Sequence, residues 1–237
     1  MPPGEPRERL IVALDVPSAE EARRLLDRVG DAVGVVKIGL ELFTAAGPDI
    51  VRWAVARNKR VFLDLKLFDI GETVKRATAA AAELGATFLT VHAAGQTVRA
   101  AVEGRGRSPM KIMAVTVLTS FSDADLQESG VVESIRDTVL RRARLAAAAG
   151  ADGVVASGGD TAIIRQALGP KLLIVVPGIR PTGSAHHDQI QVTTPARAIA
   201  GGADYLVVGR PIRDAADPAA VARAIQEEIA GAWTSGG

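Results

Sequence analysis

The sequence predicts a (β/α)8 barrel spanning residues 1–237 as one domain, and three observations carry that expectation. Eight short apolar runs rich in β-branched residues alternate with Ala/Arg/Glu-rich amphipathic stretches. Spread over the chain, eight units leave about 30 residues each, the size a βα unit needs. Gly85-Ala86-Thr87, Gly150-Ala151-Asp152 and Gly202-Ala203-Asp204 each close an amphipathic stretch just ahead of an apolar run. Glycine there supplies the left-handed residue that ends a helix.

The units follow in order. The first run, Leu10 to Val16, leads to a helix from near Ser18, where Ser18 and Glu21 form a capping box. The second, Val35 to Leu40, precedes a helix from near Gly47. The third, Arg60 to Leu67, precedes one from Gly71, and the fourth, Phe88 to Ala93, one from Gly95 that gives way to a surface loop at Gly104 to Pro109. The fifth, Lys111 to Leu118, and sixth, Gly153 to Ser157, are followed by helices from near Val131 and Asp160. The seventh, Leu172 to Ile179, leads to a helix from Pro195, and the eighth, Tyr205 to Arg210, to a last helix from Pro218 to about Ala230. A doubly wound open sheet would place a glycine-rich fingerprint after the first strand, whereas the text there is Asp15-Val16-Pro17-Ser18. Residues 1–9 and 234–237 are expected to be frayed ends. Two longer segments, Thr119 to Gly130 and Arg180 to Thr194, follow strand C-termini, the end of a barrel where active-site loops sit, and are candidate lids.

Composition excludes several classes of function. No apolar run approaches the eighteen or so residues of a membrane span, and the first ten residues lack the apolar core of a signal peptide, so a cytoplasmic chain without membrane contact is expected. With no cysteine, disulfides, thiolate nucleophiles, iron–sulfur clusters and cysteine-ligated zinc are excluded. A formal charge of +1 and 3% aromatic residues argue against nucleic acid, because they provide neither a field for polyanions nor stacking platforms.

The cations are unevenly divided: 22 arginines and six lysines. Lys59, Lys75, Lys111 and Lys171 fall at strand entrances or on a helix, but Lys37 and Lys66 lie inside apolar runs. An unpartnered ammonium there would be expensive to bury. Asp15, Asp64 and Asp69 are the nearest carboxylates in the pattern, and the period of two puts Asp64 and Lys66 on the same side of their strand. The charges form either a structural ion-pair network or a pocket built for charge that develops during a reaction. Polar residues at the other strand ends add His92, Thr119, Ser157, Pro177 to Arg180, Gly209 and Arg210 to the expected mouth.

Asp64-Leu65-Lys66-Leu67-Phe68-Asp69, an Asp-x-Lys-x-x-Asp pattern, closely resembles the active-site signature of the orotidine 5'-phosphate decarboxylase family. The resemblance runs from Leu10 to Arg213 and includes Leu14-Asp15, Lys37-Ile38-Gly39, Val117-Leu118-Thr119-Ser120, Pro177-Gly178-Ile179-Arg180 and Val208-Gly209-Arg210-Pro211-Ile212. It implies cofactor-independent and metal-free decarboxylation of orotidine 5'-monophosphate, the last step of de novo UMP synthesis. It also implies catalytic roles for Lys37, Asp64, Lys66 and Asp69, with Lys66 as proton donor to C6 of the pyrimidine. Asp15 and Lys37 match contacts to the ribose and Thr119 a hydroxyl near the base. Arg180, Gln189, Gly209 and Arg210 match the phosphate site. The resemblance further implies that Asp69 and Thr73 are contributed to the partner subunit's site, and with it an obligate homodimer. The chemistry agrees: loss of CO2 without a cofactor leaves an electron pair on C6, which only a fixed cation and a proton donor can stabilise.

Other motifs read more simply. His92 is expected to be a hydrogen-bonded packing residue, His186-His187-Asp188 a solvated loop rather than a metal site, Gly158-Gly159 a turn before a helix cap at Asp160, and Arg141, Arg142 and Arg144 a solvated helix face. Two rivals remain. The first resembles the Mg2+-dependent hexulose-phosphate synthases and ketogulonate-phosphate decarboxylases, which share the Asp-x-Lys-x-x-Asp pattern but hold the metal partly through an acidic residue on strand two, where Lys37 stands here. The second is a catalytically silent nucleotide-binding barrel, which leaves the charged residues unexplained.

Overall fold

All eight apolar runs become strands: β1 Leu10–Ala13, β2 Val35–Gly39, β3 Arg60–Leu67, β4 Phe88–His92, β5 Lys111–Val115, β6 Gly153–Val155, β7 Leu173–Val176 and β8 Tyr205–Val208. The structure is a computed structural model that describes residues 4–181 and 193–234. Each strand pairs in parallel with its sequence neighbour, and β1 closes the barrel on β8 through Leu10↔Leu206, Ile11↔Val207 and Val12↔Val208. The helices alternate with them, at Ala19–Val29, Leu40–Ala46 with Asp49–Ala56, Gly71–Glu83, Gly95–Arg105, Ile135–Ala148, Thr161–Leu168, Pro195–Ala200 and Pro218–Thr234. The fold is the (β/α)8 barrel.

Side-chain alternation divides the apolar residues into two cores. Outward-facing strand residues such as Leu10, Val12, Val36, Leu63 and Leu89 join the helices in the larger cluster. The inward-facing set, Ile11, Ala13, Val35, Phe62, Phe88, Met113, Leu173, Val175, Tyr205 and Val207, fills the barrel. Phe88 centres it, with ring centroids 5.6 Å from Phe62 and 5.1 Å from Tyr205. Continuing the same parity toward the strand C-termini reaches Asp15, Lys37, Asp64 and Thr90, so the period that builds the core also aims polar groups into the mouth.

Most departures from expectation have a local cause. Residues Pro6–Arg9, expected to fray, form a single helical turn that ends on the buried Arg9. The segment Thr119 to Gly130 contains a helix, Asp123–Glu128, because Ser122 and Asp125 cap each other reciprocally. The following helix therefore begins only at Ile135, capped by Ser134. Gly104 lies inside its helix rather than in a loop; a Cβ there would stand 2.1 Å from the Lys75 carbonyl oxygen of the adjacent helix, so glycine is what lets the two helices approach this closely. The helix stops at Gly85, Gly150 and Gly202 have positive φ, as the glycine punctuation requires.

Candidate active site

The C-terminal mouth of the barrel holds a cavity of about 460 Å3, within the range of small-molecule sites. Its floor is the top of the inner core, Ala13, Phe62, Val155, Val175 and Val207, and its walls carry Asp15, Lys37, Asp64, Lys66, Thr119, Arg180, Gly209 and Arg210. Eight of the sequence-predicted residues thus meet in one concavity. Of the others, Gln189 lies outside the described residues, as does His186-His187-Asp188.

Charges alternate along the cavity. Lys37 Nζ donates to Asp15 Oδ1 at 2.5 Å and lies 3.8 Å from Asp64 Oδ2, the oxygen that accepts from Lys66 Nζ at 2.9 Å. Exposure is graded: the side chains of Lys37 and Asp64 are 11% and 13% exposed, those of Lys66 and Asp15 31% and 43%. The inner pair is therefore desolvated while Lys66 is open to the cavity, where its ammonium can meet a ligand. Such a set costs desolvation energy that apolar packing would not, which favours a functional role over a structural one.

The backbone of β3 is distorted at the charged residues themselves. β3 and β4 pair at Leu63↔Leu89 and again at Leu67↔Val91, so three residues of β3, Asp64 to Lys66, face Thr90 alone. Lys66 takes up this bulge with φ +49°, a left-handed conformation that costs a non-glycine residue about 1 kcal/mol or more. Asp64 and Lys66 do face each other, though through this bulge and not through regular strand alternation. Thr90, fully buried, was not identifiable as a site residue from the sequence, where it reads as one more β-branched strand residue.

Arg213 is a second group the strand-end pattern did not single out. Its guanidinium donates to the Asp15 carbonyl at 2.9 Å and to both Asp214 oxygens, so it braces the loop that carries the Asp15 carboxylate. The Asp214 bond holds Arg213 above the usual arginine range and Asp214 below that of a free carboxylate. Arg180 is buried, and its backbone N–H bonds to the Thr193 carbonyl at 2.9 Å, fixing the strand-seven exit.

Asp69 and Thr73 do not line this cavity. Both are exposed, and the Asp69 carboxylate accepts from the Ile70 N–H of its own loop at 2.6 Å. They sit beside Phe68 and Ile70, two of the most exposed large apolar side chains among the described residues. His92 is half-buried and stacks edge-on against Phe68 at 5.5 Å, lining a separate, smaller cavity with Phe121 and Arg142. Burial, then the charges of Arg142 and Lys66, push its imidazole below the ordinary histidine value. Arg142 does not belong to a solvated face: it donates to the Thr116 carbonyl at 2.7 Å, and burial lowers its pKa. Ser157 is buried and bonds the Asp160 carboxylate at 2.6 Å instead of opening to the cavity, and Asp160 makes no side-chain cap. Among the described residues no group of three or more histidines, aspartates or glutamates is arranged to hold a metal ion, and no helix is long and apolar enough to cross a membrane.

Comparison with known proteins gives one consistent result. The family model described as "Orotidine 5'-phosphate decarboxylase / HUMPS family" matches residues 8–225. An orotidine 5'-phosphate decarboxylase from Rhodopseudomonas palustris (strain HaA2) is 56% identical over 224 residues, covering 94% of this chain and 95% of that one. Another, from strain BisA53, is 54% identical over 232 residues, covering 98% and 99%. Among solved structures, orotidine 5'-phosphate decarboxylase from Lactobacillus acidophilus superposes with a TM-score of 0.84 at 38% identity, covering 94% of this chain and 99% of that one.

Proposed function

The chain belongs to the orotidine 5'-phosphate decarboxylase / HUMPS family and is a carboxy-lyase, and we propose that it converts orotidine 5'-monophosphate into uridine 5'-monophosphate and CO2 without a cofactor, closing de novo UMP synthesis. The observation that carries this reading is the alternating run Asp15, Lys37, Asp64, Lys66 across one cavity.

In this reading Arg180, Arg210, the Gly209 N–H and Gln189 hold the 5'-phosphate, which glycine lets the backbone approach and arginine binds bidentately. Asp15 and Lys37 bind the ribose hydroxyls, and the Thr119 hydroxyl lies near the base. The pyrimidine carboxylate then faces Asp64 and C6 faces Lys66. The bond from C6 to the carboxylate breaks heterolytically, CO2 departs, and the electron pair stays on C6. The Lys66 ammonium, already in place, stabilises that pair and passes one N–H proton to C6; the neutral amine regains a proton from solvent. One proton is consumed for each CO2 released. The apolar floor strengthens the attraction between ammonium and carbanion by excluding water beneath them.

The working form in this reading is a cytoplasmic homodimer in which Asp69 and Thr73 complete the partner's site. Its support is the exposed Phe68-Asp69-Ile70 segment, since two large apolar side chains on either side of a carboxylate are unusual on a free surface.

The chemistry of the site also favours this reaction over a Mg2+-dependent sugar-phosphate activity. A Mg2+-dependent sugar-phosphate enzyme needs carboxylates free to bind the ion, whereas here Lys37 already neutralises Asp15 and approaches Asp64. The test is CO2 release from orotidine 5'-monophosphate in excess EDTA: retained turnover supports the proposal, and strict Mg2+ dependence contradicts it.

A further inference from the structure

The Thr90 hydroxyl makes two hydrogen bonds, both to residues of the β3 bulge. Its Oγ1 receives the Lys66 backbone N–H at 2.9 Å and lies 2.8 Å from Asp64 Oδ1. The roles of the atoms follow from their chemistry: a backbone N–H can only donate and an ionised carboxylate can only accept, so the hydroxyl accepts from Lys66 and gives its proton to Asp64. The other Asp64 oxygen takes the Lys66 ammonium at 2.9 Å. A closed ring results, running from the Lys66 N–H through the Thr90 hydroxyl and the Asp64 carboxylate to Nζ of the same lysine.

This ring occupies the place of a lost ladder bond. Where β3 bulges away from β4, the Lys66 N–H has no carbonyl opposite it in regular register. A buried N–H without a partner would be costly, and Lys66 is already held with φ +49°. Thr90 is fully buried and β-branched, so its hydroxyl is confined to few rotamers and offers a fixed point. Valine would fill the same volume and keep the strand, but could join neither group. Serine would keep the hydroxyl with less restriction of its rotamer.

We propose that Thr90 is a positioning residue for the decarboxylation: its hydroxyl holds the Lys66 backbone in the left-handed bulge and orients Asp64, so that the ammonium is fixed in the cavity before substrate arrives. The proposal rests on the reading of the mouth as an orotidylate decarboxylase site. Thr90 touches no substrate in this scheme, so it acts through the placement of Lys66 and Asp64, and phosphate and ribose contacts stay as they are. A preorganised donor loses its effect when displaced by about 1 Å, a displacement that costs on the order of 100-fold in rate.

The experiment compares wild type, Thr90→Val, Thr90→Ser and Thr90→Ala in two assays. In the first, Thr90→Val is expected to lower kcat for orotidylate on the order of 10- to 100-fold while competitive inhibition by uridine 5'-monophosphate changes less than about threefold, and Thr90→Ser to restore most of the loss. In the second, which needs no substrate, hydrogen exchange at the Lys66 amide is expected to speed up at least about tenfold in Thr90→Val and to return toward wild type in Thr90→Ser, with the Val61 and Leu89 amides unchanged. Should Thr90→Val not fold, Thr90→Ala takes its place with the same expected signs. A kcat within about twofold of wild type in Thr90→Val, no rescue by serine, or unaltered exchange at Lys66 would overturn the proposal. Inactive wild type overturns instead the functional reading on which it rests, and the exchange assay then still reports whether Thr90 holds the bulge.

Discussion

Gly39 leaves room for the end of the Lys37 side chain: a Cβ at Gly39 would stand 2.9 Å from Lys37 Nζ and 3.2 Å from Asp15 Oδ1. Its backbone is extended, so glycine is needed here for space and not for an unusual conformation. The obstructed atoms are the far ends of two side chains with rotatable bonds, which can swing aside without disturbing the barrel. Gly39→Ala is therefore expected to keep a thermal midpoint within about 2 °C of wild type and to lose on the order of tenfold or more in kcat/KM, because the Lys37–Asp15 pair must separate. Parallel melting curves and steady-state kinetics check both halves of that expectation.

The opposite end of the barrel should respond in the reverse way. Asp204, buried at the entrance to β8, accepts from the Ile174 N–H at 2.8 Å and from Arg165 at 2.7 Å, while Arg165 also donates to the Gly169, Leu172 and Gly202 carbonyls. Removing the carboxylate leaves a buried N–H without its acceptor and a partly buried guanidinium without its counter-charge. Asp204→Ala is expected to cost about 3 kcal/mol in denaturant unfolding and to leave the kinetics of the surviving folded enzyme near wild type.

How much of this arrangement is legible in the sequence depends on what each residue reports locally. Eight apolar runs and three Gly-Ala-Thr/Asp stops indicated the barrel because burial and helix termination leave periodic marks. Lys37, Asp64 and Lys66 were visible since a charge inside an apolar run contradicts its surroundings. Thr90 was not, because a threonine in a strand contradicts nothing; its role exists only once the β3 bulge brings Lys66 to it. Arg213 was hidden for a related reason, lying in a short helix whose partner, the Asp15 carbonyl, is 198 residues away in sequence. The Asp123–Glu128 helix could have been read from Ser122 and Asp125, a capping pair in which aspartate stands where glutamate or glutamine is usual.

Stability at mildly acid pH should depend on His92. Its folded-state pKa is depressed, first by burial and then by Arg142 and Lys66, from the reference value of 6.5, while the unfolded chain keeps that reference. Above pH 6.5 the imidazole is largely neutral in both states and contributes little to the balance. As pH falls through that value toward the folded pKa, the unfolded chain binds the proton first and folding stability declines. His92→Gln, which cannot titrate, is expected to lose less stability than wild type between about pH 7 and pH 5, as read by chemical denaturation at each pH.

The proposed homodimer, in which Asp69 completes the partner's site, makes a mixing prediction. Lys66→Ala and Asp69→Ala subunits should each be nearly inactive alone. Unfolded together and refolded at equal concentration, half of the dimers would be mixed, and each mixed dimer would hold one intact site and one doubly altered site. The mixture is expected to recover about a quarter of wild-type activity. Recovery no greater than the two variants separately would count against a shared site.

The most direct measurement of the central claim is release of CO2 from orotidine 5'-monophosphate by chelator-treated wild type beside Lys66→Ala. Wild type should turn over without added metal, and Lys66→Ala should lose about 1,000-fold or more in kcat while still folding. An inactive wild type, or a Lys66→Ala enzyme with comparable turnover, would contradict the assignment of Lys66 as the cation and proton donor at C6.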